Sequence, residues 1–379
     1  MVKSPLVVGV RQLLAPNRST QTVAKTMDDL GLNTGNMMFT ESLVRVVKNA
    51  HWGSFILSEE ELSGKDAIII AAANWVNEYS DFQWLYEALK DTKVPVYLVG
   101  VGAQATISKE IPKVKSGTLS LLKLVSERSK SIAARGNFSC EVLAHYGIHN
   151  SVATGCPSML LVGPQGPKIT AQEKFNTVDC CLHATRHLYQ NADEFQAYLY
   201  RQAMLQDLDL ILQSELADMY FALARTNNVE IMARATEVVT SVYATDSVEM
   251  ISRFLSRRGR VFFTFDEWIA FMKGKRFCLG TRIHGTIASL IAGTQATLIV
   301  HDSRTLEMAE AMQIPFVLSS DIDRSKKLNL SDFTFPEQCE SFVDHFSNYY
   351  SRFLRFFDDN NIAVEPSFRG TQGLVQSSN

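Results

Sequence analysis

The chain of 379 residues lacks several patterns that would place it in a specialised class. Its six cysteines include no Cys-x-x-Cys pair, which argues against a zinc site and against a secreted disulfide scaffold. No Gly-x-Gly-x-x-Gly follows the first apolar run and no Walker loop occurs, so neither a dinucleotide nor a nucleoside triphosphate is indicated. The sequence therefore predicts a protein with no metal and no cofactor.

Long apolar runs and an excess of charge are missing as well. The run Leu6–Val10 is too short for the core of a signal peptide, and the uncharged stretch Gly285–Val300 is shorter than the roughly 20 apolar residues of a membrane-spanning helix. A net charge of -3 provides no basic field that would attract nucleic acid. We therefore expect a cytoplasmic protein with no nucleic-acid partner and no membrane-spanning segment.

The first half of the chain alternates short apolar runs with helical patterns such as Asp81–Lys90 and Thr118–Lys130. Apolar runs without a polar face are typical of strands buried on both sides of a parallel sheet, and the alternation is typical of βαβ units. The fold class that we predict is therefore α/β. The predicted strands of this half are Leu6–Val10, Asp66–Ile70, Val96–Gly100, Ser131–Ala134 and Asn150–Val152.

The second half repeats this architecture, starting with a strand and the helix Ala192–Leu205. The predicted strands here are Thr177–Ala184, Leu208–Gln213, Val229–Met232, Arg260–Thr264, Phe277–Leu279 and Ala296–Val300. A Gly- and Pro-rich segment near the midpoint predicts a linker at residues 162–172. We therefore predict domains at 1–165 and 172–335, and a helix and tail at 338–379 whose amphipathic helix, Ser341–Asp358, crosses back to the first domain.

The segment with the most chemical information runs from Phe277 to Gly293. A short strand ends at Leu279, and Arg282 and His284 follow it immediately before a helix of small residues. Open α/β sheets bind ligands at such a position, where the helix N-terminus and an arginine fork both favour an anion. The alternative from the residues alone is a structural pair, an arginine held by a neighbouring acid and a core histidine.

Several motifs in this sequence resemble those of the polysaccharide pyruvyltransferase family. The most specific is the Gly-Thr-Arg-Ile-His-Gly block at 280–285, which is followed by His-Asp-Ser-Arg at 301–304, Glu307 and Ile-Pro at 314–315. The segments Asn33–Asn36, Ala134–Ser139 and Gly155–Ser158 are similar to further family motifs and occur in the same order. The matches therefore extend from residue 33 to residue 315.

The resemblance implies two Rossmann-like domains that face a cleft, as in GT-B glycosyltransferases, with parallel sheets and helices on both sheet faces. It also implies transfer of pyruvate from phosphoenolpyruvate to hydroxyl groups of a saccharide or lipid-linked saccharide, which forms a ketal. His284 and Arg282 are then the candidate catalytic residues. Candidate substrate-binding residues near the quoted motifs are Arg135, Asn33, Gly35, Asn36, Gly280 and Gly285.

One position departs from the family pattern, because Asn36 stands where the family carries an aspartate. A carboxylate therefore does not act at this position, and a helix-capping role is the better interpretation of Asn36. For Arg135, the alternative to a donor or interdomain contact is an arginine at a helix start that pairs with an acid.

A second group of polar residues follows predicted strands of the second half. His183 and Arg186 follow the strand 177–184, and Glu215 follows the strand 208–213, so their side chains are further candidates for the substrate site. The alternatives are structural histidines and an exposed glutamate at a helix start.

Two other functions remain open at this point. A GT-B glycosyltransferase would need a pocket for a nucleotide sugar, in which Glu307 could contact the ribose, and a non-catalytic saccharide-binding protein could keep the same fold. Among the tryptophans, Trp75 follows a strand and could stack on a sugar ring, whereas Trp52, Trp84 and Trp268 are expected to fill the core.

Overall fold

The computed structural model describes residues 2–12, 22–104, 110–169, 175–226 and 228–370. Within them, twelve strands form two sheets of six strands each, and every pairing within the sheets is parallel. The first sheet contains β1 (Pro5–Val8), β2 (His51–Gly53), β3 (Ala67–Ala71), β4 (Val96–Val101), β5 (Ile132–Ala134) and β6 (Ser151–Ala153). The second contains β7 (Cys180–His183), β8 (Asp209–Leu212), β9 (Gly259–Val261), β10 (Phe277–Gly280), β11 (Gln295–Val300) and β12 (Phe316–Leu318).

Helices connect successive strands. Those of the first half are α1 (Val23–Asp29), α2 (Asn36–Val46), α3 (Glu59–Leu62), α4 (Gln83–Leu89), α5 (Ser116–Arg128) and α6 (Asn137–His145). Those of the second half are α7 (Glu194–Leu205), α8 (Leu216–Leu223), α9 (Val229–Tyr243), α10 (Val248–Arg258), α11 (Phe265–Lys273), α12 (Ile283–Ile291), α13 (Ser303–Met312), α14 (Pro336–Asp359) and α15 (Pro366–Arg369). Among the described residues, no helix is both long enough and apolar enough to cross a membrane.

The predicted fold class, α/β with two Rossmann-like parallel sheets, is confirmed. The first sheet has the strand order β2-β1-β3-β4-β5-β6, and the second has β12-β11-β10-β7-β8-β9. If β7 to β12 are renumbered 1 to 6 and the second order is read from β9, it becomes 3-2-1-4-5-6, which is the order of the dinucleotide-binding fold. The strands β7 and β10 therefore flank the point where the order reverses. Ligands of such sheets bind beyond the carboxyl ends of the strands at that point.

Both faces of the first sheet are covered. In β1 and β3, Val7 and Ile69 pack into one apolar cluster, whereas Leu6 and Ile68 pack into another on the opposite face. Successive residues of a strand point to opposite sides of the sheet. All four side chains are buried because an apolar cluster covers each side. The strands therefore have no polar face, which is why they appear in the sequence as continuous apolar runs.

One predicted strand is wrong, and two strands were not predicted. Val229–Met232 begins the helix α9, because Asn228 caps its first turn and the buried residues Ala235, Val238, Val239 and Val242 continue at helical spacing. The strand prediction rested on the β-branched residues of the short run Val229–Met232 and did not take account of the longer helical pattern. The two strands that were not predicted, β2 and β12, are edge strands of three residues each and are only partly buried.

The C-terminal helix α14 packs against the first sheet as well as the second half. The hydroxyl of Tyr97, on β4, donates to the Asn360 carbonyl at 2.9 Å, and Asn360 Oδ1 accepts from the backbone N–H of Lys130 at 2.9 Å, beside β5. The domain boundaries stay predictions. The linker at 162–172 lies partly, and the tail 371–379 wholly, outside the described residues.

Candidate active site

A cavity of about 120 Å³ lies where carboxyl ends of strands from both sheets meet. Each sheet contributes residues that directly follow its strands: Asn74 and Arg135 come after β3 and β5, and Gln213, Arg282 and His301 come after β8, β10 and β11. Among the described residues, the lining consists of Asn33, Asn36, Ala73, Asn74, Arg135, Thr185, Gln213, Thr281, Arg282, Ile283, His284, His301, Arg304, Thr305 and Met308. The site therefore belongs to neither half alone.

The charge of this lining has one sign. Its described residues include the arginines Arg135, Arg282 and Arg304 and the histidines His284 and His301, and none of them is an aspartate or glutamate. A chain whose net charge is -3 thus concentrates cations in one enclosed place. Such a cavity suits a small ligand with more than one negative charge.

Hydrogen bonds from Nε and Nη2 hold the guanidinium of Arg282 in place. It is the cap residue of α12, its Nε donates to the Ala184 carbonyl at 3.2 Å, and its Nη2 donates to Glu215 Oε1 at 2.6 Å and also to the Arg186 carbonyl. None of the hydrogen bonds among the described residues uses Nη1. The fork is therefore fixed in place and keeps a donor for a ligand in the cavity.

Glu215 lies behind Arg282 rather than in the cavity. Its carboxylate is completely buried and accepts from the backbone N–H groups of Gln213 at 2.6 Å and Ser214 at 3.0 Å. Burial raises the pKa of this carboxyl, but Arg282, Arg186 and the two backbone donors outweigh burial, and the net pKa is below its usual range. Glu215 is thus a fixed anion that positions Arg282, and it is not the exposed helix-start residue of the alternative interpretation.

His284 is the second residue of α12, and its ring is nearly enclosed. Burial, followed by the charges of Arg135 and Arg282, lowers the pKa of His284 to about 3, so the imidazole is neutral near pH 7 in the absence of a ligand. Its Nε2 lies 3.6 Å from the thiol sulfur of Cys156. A Cβ added at Gly35 would lie 2.7 Å from His284 Nδ1, so only glycine lets α2 approach the ring this closely.

Arg135 faces the cavity from the first domain. Its Nε donates to the Gly100 carbonyl at 2.9 Å and its Nη1 to Asn74 Oδ1 at 2.6 Å. Burial lowers the pKa of this guanidinium, and among the described residues no carboxylate hydrogen-bonds to it. The alternative interpretation of Arg135, a helix-start arginine paired with an acid, is therefore not what the described residues show, since its hydrogen-bond partners are neutral.

His301, directly after β11, and Arg304, in the first turn of α13, also line the cavity. Arg304 donates to Asp302 through Nε at 2.7 Å and through Nη2, and Asp302 in turn caps α13. Burial lowers the pKa of His301. These two residues belong to the motif at 301–304, but the sequence interpretation gave them no role.

His183 does not line the cavity. Its ring is fully buried, and its Nδ1 accepts from the backbone N–H of Arg282 at 3.0 Å. A Cβ at Gly280 would lie 1.9 Å from the His183 carbonyl oxygen, and one at Gly285 would lie 2.5 Å from the His183 ring. The two glycines of the 280–285 block thus make room for His183, which fixes the backbone that carries Arg282.

Arg186 is also behind the cavity wall. Its Nη2 forms a completely buried ion pair with Asp218, and its Nη1 donates to the Gln190 carbonyl at 3.2 Å. The guanidinium lies over the ring of Tyr200 with 5.4 Å between its Cζ and the ring centroid. The structure therefore does not bring Arg186 together with Arg282 and His284 at the cavity.

Asn33 and Asn36 line the cavity from the first half of the chain, whereas Gly35, which lies between them in the sequence, does not. Asn33 Oδ1 accepts from the backbone N–H of Gly35 at 2.9 Å. Asn36 begins α2 without capping it; its Nδ2 donates instead to the carbonyls of Leu30 and Gly31, at 3.1 Å each, at the end of α1. The predicted cap is thus a cap of the preceding helix.

Asn74 and Gln213 are cavity residues that sequence reasoning missed. Their only signal was position, since each follows a buried strand at its carboxyl end. Glu307, which the nucleotide-sugar alternative requires, is not in the lining. Its carboxylate is buried against α6, where it accepts from the backbone N–H of Ser139 at 2.6 Å and from the Ser139 hydroxyl at 2.9 Å.

Comparison with known proteins identifies related sequences and folds. The family model described as polysaccharide pyruvyl transferase matches residues 25–303. A comparison with curated protein sequences finds no significant match. Among solved structures, HepE of Anabaena, solved with UDP and glucose, is 10% identical with a TM-score of 0.40 over 94% of this chain and 100% of that chain. The UDP-GlcNAc 2-epimerase of Methanocaldococcus jannaschii is 10% identical with a TM-score of 0.38 over 91% and 99%.

Proposed function

The chain belongs to the polysaccharide pyruvyl transferase family, and from this premise we propose that it transfers pyruvate from phosphoenolpyruvate to saccharide hydroxyl groups, forming a ketal. The observation that carries the proposal is the cavity whose described lining includes three arginines and two histidines and no carboxylate. Phosphoenolpyruvate presents a carboxylate and a phosphate, and planar guanidinium groups match both.

The size of the cavity also supports a small donor. Its volume of about 120 Å³ is below the roughly 300–1,000 Å³ of pockets that enclose drug-sized ligands, a class to which a nucleotide sugar belongs by size. The acid expected to contact a ribose, Glu307, is engaged by Ser139 instead. The glycosyltransferase alternative therefore has less support than the pyruvyl transfer.

The reaction proceeds in two additions at one carbon. Protonation of the methylene carbon of phosphoenolpyruvate makes C2 electrophilic, and a sugar hydroxyl adds to C2 and loses its proton. The bond from C2 to the phosphate oxygen then breaks, and phosphate leaves with the bonding electrons. A second hydroxyl adds to C2 and loses its proton, which gives the ketal with a new methyl group and inorganic phosphate. Protons and charges balance without any cofactor.

The chain's residues divide this work. Arg135, Arg282 and Arg304 bind the carboxylate and the phosphate, and positive charge near the bridging oxygen stabilises the departing phosphate. His284 starts neutral because burial, and then the two arginines, lower its pKa; a bound trianion beside it favours the protonated ring, so His284 can hold a proton for the departing phosphate. Glu215 and His183 act as positioning residues, since each holds Arg282.

We further propose that the protein works in the cytoplasm. All six of its cysteines are free thiols, and no pair forms a disulfide. Reduced thiols fit a compartment that keeps cysteines reduced. A saccharide or lipid-linked saccharide that is assembled in this compartment is the acceptor that the proposal requires.

Calorimetry with phosphoenolpyruvate tests the proposal on the full chain. Phosphoenolpyruvate at 100 times its Kd is expected to raise the free energy of unfolding by about 2.7 kcal/mol. Addition of a saccharide acceptor is then expected to release inorganic phosphate in amounts that match the ketal formed. Binding of a nucleoside diphosphate sugar in place of phosphoenolpyruvate would contradict the proposal and favour the glycosyltransferase.

A further inference from the structure

A cluster of aromatic side chains lies on the first domain beside the cavity. It consists of Phe55, Trp75, Phe82 and Trp84, which we call the aromatic patch. Trp75 and Phe82 stack with ring centroids 4.2 Å apart, and the edge-on contact of Phe55 with Trp84 has centroids 6.1 Å apart. Trp75 is buried, but Trp84 is 49% exposed, so the tryptophan expected to stack on a sugar is covered and one expected in the core is accessible.

Two further apolar side chains stand in solvent next to these rings. Ile56, directly after Phe55, is 82% exposed, and Tyr79, in the loop that joins Trp75 to Phe82, is 78% exposed. Exposed aromatic and apolar groups that occur together, rather than singly, indicate a binding surface. Of the three exposed side chains, Ile56 comes from one segment, and Tyr79 and Trp84 come from a second.

The loop that carries Tyr79 is rigidly built. Asn77 is buried, and its Oδ1 accepts from the backbone N–H groups of Tyr79 at 2.8 Å and Ser80 at 2.7 Å. The Thr118 hydroxyl, on α5, donates to the Ser80 carbonyl at 3.0 Å. These hydrogen bonds hold the loop, and with it Tyr79, in a fixed and exposed position. Little conformational freedom is therefore lost when a ligand binds there.

The patch is continuous with the cavity. Asn74 lines the cavity, where its Oδ1 accepts from Arg135, while the Asn74 carbonyl accepts from Asn77 Nδ2 at 2.6 Å. Trp75 is the next residue in the chain. One short segment thus connects Asn74, which contacts Arg135 in the cavity, through Asn77 to the loop that carries Tyr79.

The charges around the patch favour a neutral ligand. Residues 51–64 and 75–89 contain no lysine or arginine, and the exposed acids Glu59, Glu60, Glu78 and Asp81 lie in these segments. One cation reaches the patch from outside them, because Lys115 Nζ donates to the Tyr79 carbonyl at 3.0 Å. An anionic membrane surface would be repelled by the four acids, whereas carboxylates accept hydrogen bonds from sugar hydroxyls. Aromatic faces are negative and pack against the C–H faces of sugar rings.

We propose that the aromatic patch is the subsite for the neutral sugar units of the acceptor that adjoin the unit receiving pyruvate. This inference rests on the proposed function, because it assumes that the cavity holds the donor phosphoenolpyruvate. It assigns Trp84 as the stacking residue and Tyr79 as a second contact. Neither residue touches the donor cavity, so donor binding and patch binding can be measured separately.

The test uses the full chain on a printed array of neutral oligosaccharides of three to six hexose and N-acetylhexosamine units. Wild-type protein is expected to be retained on particular neutral glycans, and affinity is expected to fall about tenfold in Trp84→Ala and by less in Trp84→Phe, which keeps a ring. Tyr79→Ala is expected to weaken the same glycans. Leu205→Ala, which removes an equally exposed apolar side chain from the second half, is the control and is expected to change nothing.

Phosphoenolpyruvate affinity, measured by calorimetry on the same variants, separates the two proposals. Unchanged donor affinity with lost glycan retention supports the subsite. No retention of wild-type protein on any neutral glycan, or retention that is equal in Trp84→Ala, overturns it even if phosphoenolpyruvate binds. Trp84-dependent binding to phosphatidylcholine vesicles without glycan retention would also overturn it, because the patch would then be a membrane contact.

Discussion

The two histidines beside the candidate active site differ through their neighbours. His183 is fixed between two glycines and accepts a backbone hydrogen bond, so its ring supports the chain that carries Arg282. His284 shares the cavity with three arginines and contacts only a thiol at its Nε2. His183 thus supports the backbone of the site, whereas His284 faces the ligand.

Replacing His284 with glutamine separates chemistry from binding. If the imidazole holds a proton for the departing phosphate, His284→Gln is expected to lower turnover by about 10²- to 10⁴-fold while phosphoenolpyruvate affinity stays close to that of the wild type. Phosphate release and calorimetry on one purified preparation measure both. Near-normal turnover in this variant would remove His284 from the reaction.

Gly35 offers a second test at this scale. Its φ of -62° suits any residue, so Gly35→Ala adds no backbone strain, but the new methyl group would meet the His284 ring at 2.7–2.9 Å. Displacement of the ring by even about 1 Å is expected to lower phosphate release by up to about 10²-fold. The control is Gly274→Ala, also at negative φ, where the nearest atom to the added Cβ is 3.4 Å away. Equal activities of the two variants would contradict the contact.

At the scale of elements, α13 and α6 are joined across the two halves by one carboxylate. The first turn of α6 has N–H groups without partners inside the helix, and Glu307 on α13 accepts one of them as well as the Ser139 hydroxyl. A negative charge at a helix N-terminus is also favoured by the helix dipole. Gly136 permits this approach, because a Cβ there would lie 2.2 Å from Glu307 Cγ.

Glu307→Gln is therefore expected to lower the free energy of unfolding by about 1–3 kcal/mol, since a buried charge-assisted acceptor becomes neutral. Glu310→Gln, on the exposed face of the same helix, is the control and is expected to change stability by less than about 0.5 kcal/mol. Urea unfolding measures both. If the two variants were equally stable, the contact would not contribute to joining the halves.

How far the sequence predicts each element follows from what the element buries. Strands buried on both faces, such as β3 and β4, gave unmistakable apolar runs, and the position of Arg282 after β10 followed directly. Whether a polar residue lies in the cavity or behind it depends on packing between halves that are distant in sequence. Arg186 and Glu215 follow strands as Arg282 does, yet Asp218 and Arg282 hold them away from the cavity.

At the scale of the whole molecule, burial of histidines makes stability depend on pH. Burial lowers the pKa of His183 and His284 to about 3, and it also lowers the pKa values of His187 and His301. The unfolded chain takes up protons on these residues near the ordinary value of about 6.5, whereas the folded chain does not. The folded state therefore loses stability as pH falls from about 6.5 toward 3.

Each of the two most shifted histidines is expected to contribute about 1 kcal/mol of lost stability per pH unit between pH 6 and pH 5. Urea unfolding at these two values measures the slope for the wild type. In His284→Gln, the slope is expected to be smaller by one histidine's share. An unchanged slope would show that His284 is protonated in the folded chain, which the arginines beside it oppose.

Asn360 makes the order of synthesis matter for folding. It closes hydrogen bonds to the N–H groups of Lys130 and Ser131 at the start of β5, and Ser131 leaves the ribosome 229 residues earlier. At about 5–20 residues per second, that interval is roughly 10–50 s. During translation, these two N–H groups at the start of β5 therefore lack their partner for that interval, and the nascent first half is the stage at which chaperones would find them exposed.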